Sequence, residues 1–206
     1  AELMANQGRW SQAIEGYLTA GAYEQAADAI EIVAQEMFLS GDRKKFARWV
    51  DALPDRILEQ HPLLILRRGR IHTESNEWDR AEATLERSFR LFMEREDLLN
   101  ASRALVQRAI MYRLRNVPDE AVAILQRVCE IGGERDTLCA IQLHHNLGIC
   151  YYMLNRSTEG DKELNTALEL ARRAMDDTNA ALIAQDIGHT AVMRGRLLEG
   201  RQYFHQ

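Results

Sequence analysis

The chain is poor in residues that interrupt helices and in the patterns that mark several classes of protein. Only 3 of its 206 residues are proline and 7% are aromatic, whereas helix formers such as alanine, leucine and glutamate are abundant. No apolar run approaches the roughly 20 residues that span a bilayer, and no signal peptide stands at the start. We therefore expect a cytoplasmic protein that does not contact a membrane.

The net charge and the hydrophobic content argue against two further classes of protein. The formal net charge of −5 argues against a direct nucleic-acid partner, because nucleic-acid binders usually carry a basic field. The hydrophobic content of 46% is ample for a core, so a disordered chain is not expected.

Motifs that carry chemistry are also missing. Cys129, Cys139 and Cys150 form no C-x-x-C pair and lie among apolar residues, which predicts small buried side chains in a reducing compartment. A metal site that adds His144 or His145 to these cysteines is the alternative, although the spacings match no zinc pattern. Neither a G-x-x-x-x-G-K-[ST] loop nor a nucleophile–base spacing is present. We predict a chain without catalytic activity, metal or cofactor.

What the sequence does contain is an internal repeat of 39 or 40 residues. Two parallel series of small residues recur at this interval, one expected on the first helix of each repeat and the other on the second. The two series are Gly69, Ala109, Gly148 and Gly188, followed by Ala81, Ala121, Gly160 and Gly200. A period of this length with helical periodicity inside each unit is typical of an α-helical solenoid, and solenoids present long binding surfaces.

The small residues have a packing explanation. A side chain larger than alanine would push two crossing helices beyond their usual separation of about 8–10 Å, so we predict that both series mark close contacts inside helix hairpins. Asn76, Asn116, Asn155 and Gly195 lie between the two series, and each is predicted to end a first helix in the left-handed conformation.

This pattern resembles the tetratricopeptide repeat, which places a small residue late in the first helix, an aromatic residue soon after, and an alanine early in the second helix. Gly148, Tyr151, Asn155 and Gly160 follow that order, with glycine in place of alanine at the last position. The resemblance implies an all-α fold, a right-handed superhelical solenoid of helix hairpins whose repeats exceed the usual 34 residues. We expect irregular short hairpins over residues 1–60 and four long repeats over residues 61–206, the last truncated, in one continuous solenoid.

A narrower resemblance covers residues 1 to about 100. The Gly-Arg-Trp phrase at residues 8–10, the Ala-Gly-Ala-Tyr turn within residues 20–28 and the Arg-Trp-Val-Asp-Ala-Leu-Pro phrase at residues 48–54 are similar to the sensor region of MalT-type transcription activators. These are STAND signal-transduction ATPases that often end in a LuxR-type DNA-binding domain. The resemblance implies an excised sensor whose partners are an inducer and the other domains of a parent protein. A general scaffold that binds a peptide or helix is the alternative.

In such a superhelix the first helices line the inner groove. The helical period, counted from the packing glycines, places a mixed set of polar side chains on that face, which suits a polar or acidic ligand. The predicted groove residues are Arg70, Arg103, Arg113, Gln142, His145, Tyr152, Gln185 and His189. Of the two adjacent histidines, His144 is expected to face the neighbouring helix and His145 the groove, because successive helical residues point about 100° apart.

Overall fold

The computed structural model describes residues 9–204, apart from the side chains of Glu199 and Phe204. All regular structure in this range is helical, without a β-strand, so the prediction of an all-α fold is confirmed. Residues 1–8 and 205–206 lie outside the described residues, and with them Gly8 of the Gly-Arg-Trp phrase, the start of the predicted segment 1–60 and the end of the predicted segment 61–206. The chain divides into two compact units between Asp97 and Leu98.

The described part of the first unit has six helices. They are α1 (Trp10–Thr19), α2 (Tyr23–Ser40), α3 (Arg43–Asp51), α4 (Asp55–Leu58), α5 (Pro62–Glu74) and α6 (Trp78–Glu94). Helices α1 and α2 form one hairpin and α5 and α6 form another, with α3 packed between α2 and α5. The core of this unit lies around Phe46 and Trp49 of α3, which are buried against Ile30 of α2 and Leu64 of α5.

The second unit repeats one arrangement. Its described helices are α7 (Leu98–Leu114), α8 (Pro118–Glu130), α9 (Thr137–Met153), α10 (Ser157–Arg173), α11 (Asp177–Met193) and α12 (Leu197–Phe204), with a 3-10 turn at Gly133–Arg135. Helices α7 and α8, α9 and α10, and α11 and α12 form three successive hairpins. Each first helix also contacts the first helix of the next hairpin.

The turns inside the long hairpins have the predicted conformation. Asn76, Asn116, Asn155 and Gly195 all have positive φ, between 59° and 77°. The N–H of the next residue donates to the carbonyl five positions back, at 2.8–2.9 Å in each case, which satisfies an acceptor left over at the helix end. Asparagine and glycine occupy these positions because they tolerate left-handed backbone better than other residues.

Two further turns use the same geometry without a residue that favours it. Glu96 (φ 57°) ends α6 and Met175 (φ 55°) follows α10, and the following N–H again donates five positions back, at 3.0 Å. Neither side chain favours a left-handed turn, so these two turns are not predictable from the residues that adopt them.

The small residues lie where the two helices of a hairpin touch. A Cβ added to Gly69 would come within 2.6 Å of Leu85 on α6, and one added to Gly148 would come within 2.6 Å of Leu164 on α10. Gly69 and Gly148 are thus each contacted by a leucine that stands four residues after the small residue of the second helix. A Cβ on Gly160 would meet the Tyr152 ring at 2.7 Å and the Gly148 carbonyl at 3.1 Å.

The other small residues of the two repeat series are also closely packed. A Cβ on Gly200 would lie 2.9 Å from the carbonyl of Gly188, and Ala81, Ala109 and Ala121 are completely buried.

Every helix in residues 9–204 is too short or too polar to cross a lipid bilayer.

We expect Gly69→Ala to lower the free energy of unfolding by about 1–3 kcal/mol, the usual cost of overpacking a core. The added methyl group would overlap the Leu85 side chain, which lies on the partner helix. Urea unfolding followed by circular dichroism measures the change.

The matched control is the same substitution in a Leu85→Ala background. There the overlap is removed, and alanine should be neutral or stabilising by up to about 1 kcal/mol because it favours a helix over glycine. An equal loss of stability in both backgrounds would show that Leu85 is not what requires a glycine at residue 69.

Candidate functional site

Seven of the eight predicted groove residues lie on the first helices of the second unit. Helix α7 carries Arg103 and Arg113, α9 carries Gln142, His145 and Tyr152, and α11 carries Gln185 and His189. The eighth, Arg70, lies on α5 in the first unit. Because α9 contacts both α7 and α11, polar side chains from three first helices meet in this unit.

The contact between α7 and α9 includes a hydrogen bond between an arginine and an asparagine. Arg113 Nε donates to Asn146 Oδ1 at 3.0 Å, and Asn146 Nδ2 donates to the Gln142 carbonyl at 2.8 Å. Asn146 is only 4% exposed. Burial lowers the pKa of Arg113, while Cys150 and Asp186 act in the opposite direction. The guanidinium nevertheless stays charged at neutral pH, because arginine titrates far above it.

The contact between α9 and α11 depends on a histidine and an aspartate. His145 Nε2 lies 2.6 Å from Asp186 Oδ2, and His145 is buried. We call Arg113, Asn146, His145 and Asp186 the first-helix network, because these four side chains join α7 to α9 and α9 to α11.

His144 points to a different helix. Its Nδ1 lies 2.6 Å from Glu163 Oε2 on α10, the second helix of the same hairpin. His144 therefore contacts the partner helix, whereas its neighbour His145 contacts the next first helix, the division that the sequence predicts for adjacent helical residues.

Arg103 contacts the start of α9. Its Nη2 lies 3.6 Å from Asp136 Oδ1, and Asp136 also accepts the N–H of Cys139 at 2.9 Å as the N-terminal cap of α9. The side chain of Arg103 is 38% exposed, so this contact stabilises the helix end only slightly.

The remaining predicted residues do not join the first-helix network. The Tyr152 hydroxyl donates to Asp161 on α10, and Asp161 also accepts from Arg194 at 3.1 Å and from Arg196 at 3.2 Å. Gln185 and His189 are exposed on α11. Tyr152 therefore helps to join the second hairpin to the turn of the third.

Arg70 belongs to a separate group of cations in the first unit. Its guanidinium carbon lies 5.3 Å from the centroid of the Phe38 ring, and those of Arg43 and Arg67 lie at 5.7 and 5.8 Å. Glu74 accepts from Arg70 Nε at 3.0 Å and lies 3.0 Å from Arg43 Nε. Sequence reasoning missed this group, because Phe38 lies in a different hairpin from Arg70.

The first-helix network offers both charge signs within a partly buried region. Among the described residues, Arg113 donates through Nε alone, so its Nη groups are available to an acceptor from outside the protein. Guanidinium groups bind carboxylates and phosphates in this way. A guanidinium in this arrangement is chemically suited to an acidic or hydrogen-bonding ligand.

The cysteines differ from the expectation in one case. Cys139 and Cys150 are buried, but Cys129 is exposed, so the prediction of three buried thiols is wrong for Cys129, which lies in the last turn of α8. Desolvation raises the pKa of Cys139 and Cys150 to about 11, and desolvation together with Glu134 raises that of Cys129 to about 12. Within residues 9–204, no three His, Cys, Asp or Glu side chains are grouped closely enough to hold a metal ion.

No protein-family model matches the chain, and a search of the curated proteins found no match. The resemblances to tetratricopeptide repeats and to MalT-type sensors therefore depend on the motifs in the sequence.

We expect Asn146→Ala to lower the free energy of unfolding by about 1.5–3 kcal/mol, the range for a lost hydrogen bond to a charged group. The substitution leaves the partly buried Arg113 without its acceptor and the Gln142 carbonyl without a donor. Chemical denaturation measures the loss.

Asn165→Ala is the matched control for that substitution. Asn165 makes the same kind of bond, from Nδ2 to a carbonyl four residues back at 2.8 Å, but it is exposed on α10. Its loss should cost less than about 0.5 kcal/mol. Similar costs for the two variants would show that the contact with Arg113 contributes nothing to stability.

The raised pKa values predict unreactive thiols. At pH 7 a thiol with a pKa of about 11 is ionised in only about one molecule in ten thousand, and the thiolate is the reactive form. Iodoacetamide should therefore modify the native chain far more slowly than the urea-unfolded chain, whose thiols have a pKa of about 8.5. Mass spectrometry counts the modified residues, and rapid native labelling at any of the three would contradict the prediction.

Proposed function

We propose that this chain is the sensor region of a STAND-type signal-transduction ATPase and that an inducer binds on its first helices. The supporting features are the family-like phrases of the first hundred residues, followed by successive hairpins of similar length in the second unit. The proposal implies a cytoplasmic regulatory protein, a superhelical arrangement of the hairpins, and no direct contact with nucleic acid.

The observation that carries the proposal is the first-helix network. Polar side chains are costly to bury unless they are paired, and the contacts between first helices contain the paired polar side chains of Arg113, Asn146, His145 and Asp186. The network holds the Arg113 guanidinium in place before a ligand arrives. Preorganised donors of this kind give specificity for an acidic or acceptor-bearing ligand.

The network also suggests how binding would reach the rest of the protein. A ligand that accepts from Arg113 Nη and contacts His145 would touch α7 and α9 together, and through Asp186 it would influence α11. Such a ligand favours one spacing of the three first helices. Differential affinity for two spacings shifts their populations, and that shift is what the ATPase of a parent protein would detect.

A general scaffold that binds a peptide or helix is the second candidate. It is favoured by exposed leucines on the same first helices, Leu138 on α9 (41% exposed) and Leu182 on α11 (48% exposed). Exposed apolar side chains are the anchors against which the apolar face of an amphipathic helix packs.

Calorimetric titration of the 206-residue chain with pools of acidic metabolites and of peptides distinguishes the two candidates. An inducer should bind the wild-type chain and lose about tenfold or more in affinity with Arg113→Met, which equals about 1.4 kcal/mol. Arg173→Met, which removes an exposed arginine on α10, should bind normally. A peptide that binds irrespective of residue 113 would favour the scaffold.

The regulatory part of the proposal needs the parent protein. If the chain is a sensor, deleting it from the parent should change nucleotide hydrolysis and assembly. Unchanged hydrolysis and assembly after deletion would contradict the sensor proposal even if a ligand binds.

A further inference from the structure

Three arginines of the first unit surround one aromatic ring. The guanidinium carbons of Arg43, Arg67 and Arg70 lie 5.3–5.8 Å from the centroid of the Phe38 ring, within the distance at which an aromatic ring attracts a cation. We call these three side chains the arginine cluster. None of them belongs to the first-helix network, so a ligand of the cluster is independent of the proposed function.

Three helices contribute to the cluster. Phe38 lies near the end of α2, Arg43 is the first residue of α3, and Arg67 and Arg70 lie three residues apart on α5. Residues three apart are neighbours on one helix face, so α5 presents two guanidiniums to the same ring. The Phe38 ring in turn packs edge-on against the buried Phe46, with the ring centroids 5.4 Å apart. The guanidiniums are therefore held against a ring that is fixed to the core.

Most donors of the cluster are not used by the described residues. Arg43 and Arg70 each face the Glu74 carboxylate through Nε, at 3.0 Å. Arg67 contacts the Phe38 ring but makes no hydrogen bond or ion pair with a described residue. The Nη atoms of Arg43 and Arg67 are accessible to solvent, and Arg70 is exposed. These Nη groups can donate to an anion from outside the chain.

The carboxylates that face the cluster do not balance its charge. Glu74 is shared between two of the arginines. Burial lowers the pKa of Arg67, Glu31 raises it and Arg70 lowers it, so Arg67 senses one acid and one further cation. Glu31 also faces His61, whose Nδ1 lies 3.2 Å from Glu31 Oε1. Two carboxylates thus face three guanidiniums, which leaves one positive charge in excess.

The other charged residues nearby leave this excess in place. Arg68 on α5 forms two hydrogen bonds of 2.8 Å with Asp51, so it is already paired. Asp42 and Lys44 stand on either side of the first residue of α3 and carry opposite charges. Glu36 lies two residues before the aromatic residue, on the other side of α2. The local charge therefore favours an anion.

A phosphate monoester suits three converging guanidiniums better than a carboxylate does. It carries close to two negative charges at neutral pH and has three terminal oxygens, so each guanidinium can donate to an oxygen of its own. A carboxylate offers one charge and two oxygens. The net charge of −5 repels an extended polyanion more than it repels a single phosphate group.

We propose that the arginine cluster binds the phosphate group of a small phosphate monoester. The Nη atoms of Arg43, Arg67 and Arg70 donate to the phosphate oxygens, and Phe38 keeps the guanidiniums in place before the ligand arrives. Preorganised donors lose less conformational freedom on binding. No covalent step is involved.

Phosphorus NMR of the 206-residue chain tests the proposal. The probe is methyl phosphate at about pH 7.5, where it is mainly a dianion because its second pKa is about 6. The analogue is dimethyl phosphate, a diester with one negative charge and two terminal oxygens. We expect a saturable change in the phosphorus chemical shift of methyl phosphate, with half-saturation on the order of 1 mM or below, and binding about tenfold weaker or worse for the diester.

Two matched pairs of substitutions locate the site. Arg67→Met should weaken methyl phosphate about tenfold, whereas Arg90→Met, which removes an exposed arginine on α6, should leave binding unchanged. Glu74→Gln removes the carboxylate that competes with the ligand for two of the arginines, so it should strengthen binding several-fold. Glu94→Gln makes the same change in charge at an exposed position on α6 and should have no such effect. Circular dichroism checks that each variant is folded.

Arg113→Met separates this site from the first-helix network. Arg113 lies in the second unit, so its substitution should not change the binding of methyl phosphate. If Arg113→Met abolishes binding and Arg67→Met does not, the phosphate binds at the first-helix network. The present proposal would then be wrong, whereas the proposed function would not.

Four further results would overturn the proposal. They are the absence of a saturable shift at millimolar methyl phosphate, equal binding of the monoester and the diester, equal effects of Arg67→Met and Arg90→Met, and failure of Glu74→Gln to bind more tightly than Glu94→Gln.

Discussion

The close contact between the two helices of each long hairpin is the constraint on which the second unit depends. Gly148 leaves room for Leu164 directly over the backbone of α9, and this fixes which side of α9 faces α10. At about 100° per residue, Asn146 then points about 160° away from Gly148, toward α7. His144 and His145 fall on the two flanks, one against α10 and the other against α11. The position of the packing glycine thus determines the position of the polar network.

Local signals in the sequence were sufficient for the fold class and for the turns inside the long hairpins. Asparagine and glycine at fixed intervals predicted left-handed helix ends, because backbone conformation depends mainly on the residue that adopts it. The division between His144 and His145 also followed from helix geometry alone. Glu96 and Met175 adopt the same left-handed conformation without a side chain that favours it.

Contacts between distant residues were beyond sequence reasoning. Asn146 and Asp186 were not among the predicted groove residues, although they complete the pairs with Arg113 and His145. Nothing near Trp49 in the sequence shows that its indole nitrogen has no acceptor among residues 9–204, because that depends on how α1, α2 and α3 pack. Periodicity indicates which face a residue occupies, but the partner on the opposite helix depends on the axial offset between helices, which one sequence does not specify.

The glycine–leucine contact also affects how copies of this repeat can diverge. Gly69 and Leu85 are 16 residues apart, as are Gly148 and Leu164, and the same spacing separates the buried pair Ala109 and Leu125. A larger residue at the first position requires a smaller or shifted one at the second, so substitutions at the two should accumulate together during evolution. Correlated variation at this interval would let degenerate copies be recognised after the aromatic and alanine landmarks have been lost.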